Sequence, residues 1–205
     1  LLCGDVGFGK TEIALRAAFR SAFSGKQVAV LAPTTILALQ LYNSFSKRFS
    51  GSPQKIRLFT RLQNKGTTNK TKEGLKSGDI NIVIGTHKLL SNELSFAGLG
   101  LIIVDEEHRF GVKQKEKINT LSLDLDLLSM SATPIPRSLQ QSFSGLKSLS
   151  LMKTAPSTRK PIITKVLYSS NAILSKFVLL EIARGGQVYI VYNNVDNIET
   201  YTNKI

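Results

Sequence analysis

The sequence predicts an α/β fold in which a parallel β-sheet is flanked by helices. Short β-branched runs alternate with longer helical stretches along the chain, and a glycine-rich turn follows the first apolar run. Strands separated by helices indicate βαβ units with right-handed crossovers, and hence a parallel sheet. We therefore expect the functional residues to gather at the carboxyl ends of the strands.

Four apolar runs, each followed by a turn or a polar cluster, are typical of buried strands. They cover residues 28–31, 82–84, 101–104 and 127–129. The stretches between them have the length and periodicity of helices. The predicted helices cover residues 10–23, 35–49, 68–76, 113–121 and 136–143. This order of elements is the basis of the α/β prediction.

A change in composition near residue 153 divides the chain into two predicted domains. Residues 1–152 carry the elements of one complete domain, and residues 153–161, with two prolines and no apolar periodicity, predict a linker. A strand at 162–167, a helix at 171–183 and a strand at 187–192 then predict the beginning of a second α/β domain over residues 162–205. Because the chain starts with Leu1 and its first motif is at Gly4, we expect it to be part of a longer protein.

The chain is strongly basic, with 27 Lys and Arg against 14 Asp and Glu and a formal net charge of +13. This balance favours a polyanion such as nucleic acid as partner, although a general compositional bias would give the same charge. The single cysteine, Cys3, cannot form an internal disulfide and is typical of a small buried strand residue. No apolar stretch is long enough to cross a bilayer. We therefore expect a cytoplasmic protein without a membrane partner.

The first motif is a glycine-rich loop that fits the phosphate-loop pattern of two glycines, Lys and Thr. It reads Gly4-Asp5-Val6-Gly7-Phe8-Gly9-Lys10-Thr11. Glycines let backbone N–H groups turn onto phosphate oxygens, and the following helix adds its positive end. We expect Lys10 to neutralise the outer phosphates of ATP and Thr11 to hold Mg²⁺ through its hydroxyl. The alternative is an ordinary glycine turn, but the preceding apolar strand and the following Ala-rich helix favour a phosphate loop.

The second motif is the acidic segment Asp105-Glu106-Glu107-His108, which follows a predicted buried strand. In a parallel sheet, the carboxyl end of that strand lies beside the phosphate loop. Asp105 is then expected to hold Mg²⁺ through water, and Glu106 to orient and deprotonate the attacking water. Acids also favour helix starts, which is the alternative interpretation. No second His or Cys lies at zinc-ligand spacing from His108, so we exclude a zinc site.

Small hydroxyl residues follow other predicted strands. Ser131 and Thr133 are candidates to link the nucleotide site to a moving domain, although such residues usually only form a turn. Thr34, Thr35 and Thr86 stand at predicted helix starts, where hydroxyls either bind a nucleic-acid backbone or cap the helix. Residues 51–80 also carry many Lys and Arg, and a solvated basic face is the commoner explanation of such a run.

Together, five motifs resemble the first motor domain of superfamily-two DNA translocases. They are the phosphate loop, Ala32-Pro33-Thr34-Thr35, Ile84-Gly85-Thr86-His87-Lys88-Leu89-Leu90, Val104-Asp105-Glu106-Glu107-His108-Arg109-Phe110-Gly111-Val112 and Ser131-Ala132-Thr133-Pro134-Ile135-Pro136-Arg137. The resemblance covers essentially the whole chain and is closest to the family of bacterial transcription-repair coupling factors. The RecG family of fork-remodelling helicases is similar over the same stretches. Phe8 and Glu107 favour the coupling factors, because RecG-like sequences usually carry Ser and Gln there.

The resemblance implies a P-loop motor of two RecA-like lobes that binds ATP and Mg²⁺ and moves on double-stranded DNA. Residues 1–152 then correspond to the first lobe and residues 162–205 to the beginning of the second. In this family the motion displaces stalled RNA polymerase, and other domains recruit the excision-repair protein UvrA. The implied roles are nucleotide and metal binding for Lys10, Thr11, Asp105 and Glu106, coupling for His108, Ser131 and Thr133, and DNA contact for Thr34, Thr35 and Thr86. We expect a monomer.

The departures from the family pattern concern segments that this chain does not contain. Nothing in it corresponds to the polymerase-interaction module, the repair-protein-binding region or the adenine-reading segment, and the arginine finger of the second lobe is absent. Such a finger contributes on the order of 10³–10⁵ in rate, so we expect this chain alone to hydrolyse ATP poorly. The alternatives are a RecG-like helicase of branched DNA and a P-loop regulatory NTPase that does not bind DNA.

Overall fold

The computed structural model describes residues 1–132, 148–157 and 162–203. These residues form a parallel β-sheet of seven strands. The strands are β1 (Leu2–Gly4), β2 (Gln27–Leu31), β3 (Ile56–Phe59), β4 (Ile82–Gly85), β5 (Leu99–Asp105), β6 (Asp126–Ser131) and β7 (Ser150–Met152). They lie in the order β3-β4-β2-β5-β6-β1-β7, and every pair is parallel. The predicted fold class is therefore confirmed.

Helices connect the strands, as parallel pairing requires. They are α1 (Lys10–Phe23), α2 (Thr35–Arg48), α3 (Lys65–Ser77) and α4 (Val112–Leu121), with short 3₁₀ helices at His87–Leu90 and Glu107–Arg109. Two further helices, α5 (Asn171–Ala183) and α6 (Ile198–Thr202), follow β7 in the sequence. In the described part of the chain, none of these helices is long and apolar enough to span a bilayer.

The sheet is buried on both faces, and alternate residues of β2 show how. Val28 and Val30 pack into one apolar cluster with side chains of α1 and α2. Ala29 and Leu31 point the other way, into a second cluster that contains Leu75 of α3 and Ile118 of α4. Because successive strand residues face opposite sides, a near-continuous apolar run is what a strand between two helical layers needs. The functional loops therefore project from the edges of a three-layer core.

Two strands were not predicted from the sequence, for different reasons. β3 has only four residues, and its exposed Arg57 belongs to the basic run that indicated a solvated face. β7 is three residues long and pairs with β1 at the end of the sheet. Short strands with one exposed face carry too little apolar signal to be separated from a loop.

The chain divides into two compact units, Leu1–Arg159 and Lys160–Ile205. In the second, α5 has the predicted bounds, and Ser170 caps it by accepting a hydrogen bond from the Ile173 N–H at 3.2 Å. The strands predicted at 162–167 and 187–192 are wrong, because the described residues of this unit form no strand. A strand exists only with a hydrogen-bonded neighbour, and the side chain of Val166, for example, is 95% exposed.

Some predictions concern positions outside the described residues. These are the helix at 136–143, the last part of the linker at 158–161, and Thr133.

Candidate functional site

A tight glycine turn connects β1 to α1. Gly7 and Gly9 have positive φ angles of 79° and 93°, a region that costs glycine little. The Asp5 side chain accepts a hydrogen bond from the Val6 N–H at 2.7 Å, and the Asp5 carbonyl accepts one from the Phe8 N–H at 3.2 Å. Gly9 is the N-cap of α1, so the unpaired N–H groups and the positive dipole end of α1 face the turn. This geometry suits an anion such as phosphate.

Lys10 and Thr11 are the first two residues of α1. The Lys10 ammonium donates to the carbonyls of Gly4 at 2.8 Å and Asp5 at 3.1 Å. Its positive charge is therefore held across the mouth of the turn. Thr11 follows in the first helical turn, at the same end of α1.

Asp105 lies at the same edge of the sheet as this turn. It ends β5 and pairs with Met130 of β6, which pairs in turn with Leu2 of β1. Asp105 is thus two strands, or roughly 10 Å, from β1. Burial, followed by the negative charge of Glu106, raises the pKa of Asp105, while the positive charge of Lys10 opposes that rise. The structure therefore places the lysine and the acid at the same edge of the sheet, where the charge of one acts on the other.

Glu106 turns the chain sharply at the end of β5. Its φ is +50°, and no other described non-glycine residue has a positive φ. Its side chain is only 20% exposed, and its Oε2 has no hydrogen-bond partner within the described residues. His108 Nδ1 lies 3.3 Å from that oxygen, close enough for electrostatic attraction but without hydrogen-bond geometry. Strained backbone and an unsatisfied carboxylate are typical of functional positions.

The residues at this edge fit a divalent cation. Asp105 is a desolvated acid next to a second acid, and Glu106 Oε2 accepts no hydrogen bond from the described residues. No group of three or more His, Cys, Asp or Glu among the described residues forms a complete protein cage. Mg²⁺ does not need one, since it binds through one or two carboxylates together with substrate phosphates and water. Asp105 and Thr11 are the residues that would hold it.

Three further residues predicted for the site, Glu107, His108 and Ser131, also lie at this edge. Glu107 and His108 begin the 3₁₀ helix that follows Glu106. Ser131 ends β6, is buried, and pairs with Cys3, one residue before Gly4. Ser131 is thus on the strand next to β1 at the level of the glycine turn. Thr133 lies outside the described residues.

Thr34, Thr35 and Thr86 line a groove of about 600 Å³ along the ends of β2 and β4. Thr34 is the N-cap of α2 and accepts a hydrogen bond from the Leu37 N–H at 3.2 Å. The capping interpretation of Thr34 is therefore confirmed. A hydroxyl that accepts one hydrogen bond can still donate its own proton, so capping leaves Thr34 able to contact a phosphate. Thr86 is buried and precedes the 3₁₀ helix after β4.

The same groove is lined by basic residues that sequence reasoning missed or left unassigned. They are Arg61, His87, Lys88, Lys113 and Lys117. Arg61 and Lys88 follow β3 and β4, so their place at the carboxyl edge would have followed from the strand positions alone. Lys113 and Lys117 are on α4, four residues apart, and only the fold shows that this helix reaches the groove.

Comparisons with known proteins point to one family. The model of the DEAD/DEAH box helicase family matches residues 1–142. The transcription-repair-coupling factor of Bacillus subtilis (strain 168) is 49% identical over 205 residues, which is 100% of this chain and 17% of that protein. The corresponding protein of Staphylococcus aureus (strain USA300) is 49% identical over 198 residues, covering 97% of this chain and 17% of its own length. The chain thus spans about one sixth of the coupling factors that it resembles.

Solved structures give the same picture. RecG bound to a three-way DNA junction superposes with a TM-score of 0.80 and 37% identity, over 98% of this chain and 27% of RecG. A DEAD box protein from the hyperthermophile Methanococcus jannaschii superposes with a TM-score of 0.59 over 74% of this chain and 45% of that one. At 24% identity, the second similarity concerns the fold alone.

Proposed function

The chain belongs to the DEAD/DEAH box helicase family, and from that premise we propose that it is the ATP-binding lobe of a motor that moves on double-stranded DNA. One observation carries this proposal: Lys10, in the glycine turn after β1, and Asp105, at the end of β5, lie at the same edge of the sheet. The threonine-lined groove opens at the carboxyl ends of β2 and β4 in the same sheet. A nucleotide site and a nucleic-acid site on one rigid sheet are what a motor lobe requires.

The roles of the nucleotide-site residues follow from their chemistry. Lys10 neutralises the outer phosphates, and the N–H groups at the start of α1 donate hydrogen bonds to them. Mg²⁺, when bound, supplies charge neutralisation for phosphoryl transfer; Thr11 and Asp105 hold it. Glu106 accepts a proton from the attacking water, for which its unpaired Oε2 is suited. His108 lies against that oxygen and is positioned to transmit movement to it.

The same proposal assigns the groove to the DNA backbone. Thr34, Thr35 and Thr86 offer hydroxyls at the groove, and hydroxyl and backbone contacts to phosphates position DNA without reading its sequence. Such a contact suits a motor that must move over any sequence.

At a finer level, we propose that the whole protein acts in transcription-coupled repair. The 49% identity to transcription-repair-coupling factors supports this, together with Phe8 and Glu107. RNA polymerase and UvrA would then be partners of the whole protein. A RecG-like action on branched DNA is the second candidate, favoured by the similarity to RecG over 98% of the chain.

Binding of duplex DNA, measured by fluorescence anisotropy with and without a non-hydrolysable ATP analogue and Mg²⁺, tests the motor proposal. Because a chain of charge +13 binds any polyanion to some extent, the informative comparison uses isosteric variants of equal charge. We expect Thr35→Val and Thr86→Val to weaken DNA binding, and Thr67→Val, on the exposed surface of α3, to leave it unchanged.

Two results would contradict the motor proposal. One is that the parent chain binds the ATP analogue, but the parent and the three threonine variants all bind DNA with the same affinity. The other is the absence of DNA binding at low salt, which a P-loop regulatory NTPase predicts. In either case the groove would have a different role.

A further inference from the structure

Helix α4 supplies part of the groove, although it carries none of the motifs of the sequence analysis. Lys113, Gln114 and Lys117 of this helix line the groove together with the threonines. α4 packs against the 3₁₀ helix His87–Leu90, which follows Thr86. The helix that comes directly after the acidic motif thus borders the proposed DNA site.

The charged residues that line the groove are all basic. Lys113 and Lys117 are four residues apart on one side of α4, where like charges repel each other. Arg61 and Lys88 line the same groove, and no Asp or Glu does. Within the described residues, Lys113 and Lys117 take part in no ion pair with a carboxylate. The negative charge of Glu93 acts on Lys88, but the cations that line the groove outnumber it, and this excess of positive charge favours an anionic occupant.

Helix α4 is also fixed in position by its contacts with the rest of the fold. Ile118 is 1% exposed and anchors α4 in the second apolar cluster. Lys117 Nζ donates to the side-chain oxygen of Asn92, which fixes the middle of the helix to the segment after the 3₁₀ helix. At the start of α4, Gln114 Oε1 accepts a hydrogen bond from the Gly111 N–H at 3.1 Å. The backbone of α4 and the Lys117 side chain are therefore held in position, which lowers the entropic cost of binding a ligand.

We propose that Lys113 and Lys117 bind phosphates of the DNA backbone, so that α4 extends the track begun by Thr34, Thr35 and Thr86. This inference rests on the proposed function of the groove. It adds a contact surface on a helix that starts six residues after Glu106, the residue proposed to activate water.

The salt dependence of duplex DNA binding tests the inference with the 205-residue chain. Each phosphate contact that is lost reduces the slope of log affinity against log salt concentration by about 0.9. We expect the double variant Lys113→Ala/Lys117→Ala to lower that slope by about two. The matched control is Lys70→Ala/Lys115→Ala, which removes the same charge from α3 and α4 outside the groove lining.

Three outcomes decide the matter. A reduced slope in the groove variant alone supports the inference, provided that its affinity for the ATP analogue and its melting temperature match those of the parent chain. If the two double variants have the same slope of log affinity against log salt concentration, the inference is overturned. The threonine contacts, and hence the proposed function, are not affected by that result. A parent chain that does not bind DNA overturns both.

Discussion

The Lys10 ammonium donates a hydrogen bond to the carbonyl of Gly4, six positions earlier in the chain, at 2.8 Å. Gly4 is the last residue of β1 and Lys10 the first of α1. The bond therefore joins the two ends of the glycine turn and fixes the position of the lysine charge there. A second bond, to the Asp5 carbonyl at 3.1 Å, holds the same position.

The first prediction is that Lys10→Ala weakens binding of an ATP analogue with Mg²⁺ by about 10- to 100-fold. This is the effect of losing a charged hydrogen-bond donor worth about 1.5–3 kcal/mol. Isothermal titration calorimetry measures it. Lys47→Ala, an exposed lysine near the end of α2, is the control of equal charge and should bind as the parent does. Equal losses in both variants would show that only net charge matters.

The second prediction concerns Asp105→Asn, which removes a carboxylate whose pKa is raised mainly by burial. A raised pKa means that the folded chain binds the proton more tightly than the unfolded chain does, so ionisation of Asp105 destabilises the fold. Near neutral pH and without Mg²⁺, we expect the variant to melt about 2–4 °C higher, the shift produced by roughly 1 kcal/mol in a chain of this size.

The pH dependence of this difference has a definite sign. As the pH falls through the raised pKa, the parent Asp105 takes up a proton and loses its ionic cost, so the two melting temperatures should converge. Scanning calorimetry over a pH series measures this. Asp124→Asn changes an exposed carboxylate and should stay within about 0.5 kcal/mol of the parent throughout. A gap that is constant with pH would contradict the assignment to Asp105.

The sequence was sufficient to place Gly4 and Asp105 at one edge of the sheet, because both residues directly follow buried strands. Asp105 comes after four consecutive apolar residues and Gly4 after three, so each strand end could be placed to within a residue or two. In a parallel sheet, strand ends share one edge. The order of the strands could not be derived in this way, because it depends on which crossover each helix takes.

The groove was predictable only in part, for a physical reason. Thr34 and Thr86 follow buried strands, whereas Lys113 and Lys117 reach the groove only because α4 packs against the 3₁₀ helix after β4. Helix packing of this kind depends on long-range contacts that local sequence periodicity does not encode. The wrong strands at 162–167 and 187–192 have the opposite cause, since apolar runs predict strands whether or not a partner strand is available.

The third prediction is that Glu106→Asn raises the melting temperature by about 2–4 °C, because asparagine tolerates a φ of +50° better than glutamate does. Glu106→Gln is the matched control, since it removes the charge but retains the longer side chain and the backbone strain. A higher melting temperature for Asn than for Gln would isolate the strain. In the intact protein, we expect both variants to bind ATP and lose turnover, and normal turnover in Glu106→Gln would refute the proposed role of Glu106 as base.

The last prediction concerns the close approach of β3 and β4 below the groove. Gly85 pairs with Phe59, and a Cβ at Gly85 would lie 2.2 Å from the Phe59 carbonyl oxygen and 3.0 Å from the Leu89 side chain. Since the nearest atom belongs to the backbone of a paired strand, it cannot move aside without breaking the pairing. We expect Gly85→Ala to destabilise the fold by about 3 kcal/mol and to weaken DNA binding, because Thr86 is the next residue.

Chemical denaturation measures the loss, and Gly98→Ala is the control. A Cβ at Gly98 meets no atom within 4 Å, so this variant should stay within about 0.5 kcal/mol of the parent. If both variants unfolded at the same denaturant concentration, the close approach of Gly85 to the Phe59 carbonyl would be contradicted. If Gly85→Ala lost stability but kept full DNA affinity, Thr86 would not be a contact, because a shift of the backbone at Gly85 necessarily moves its neighbour.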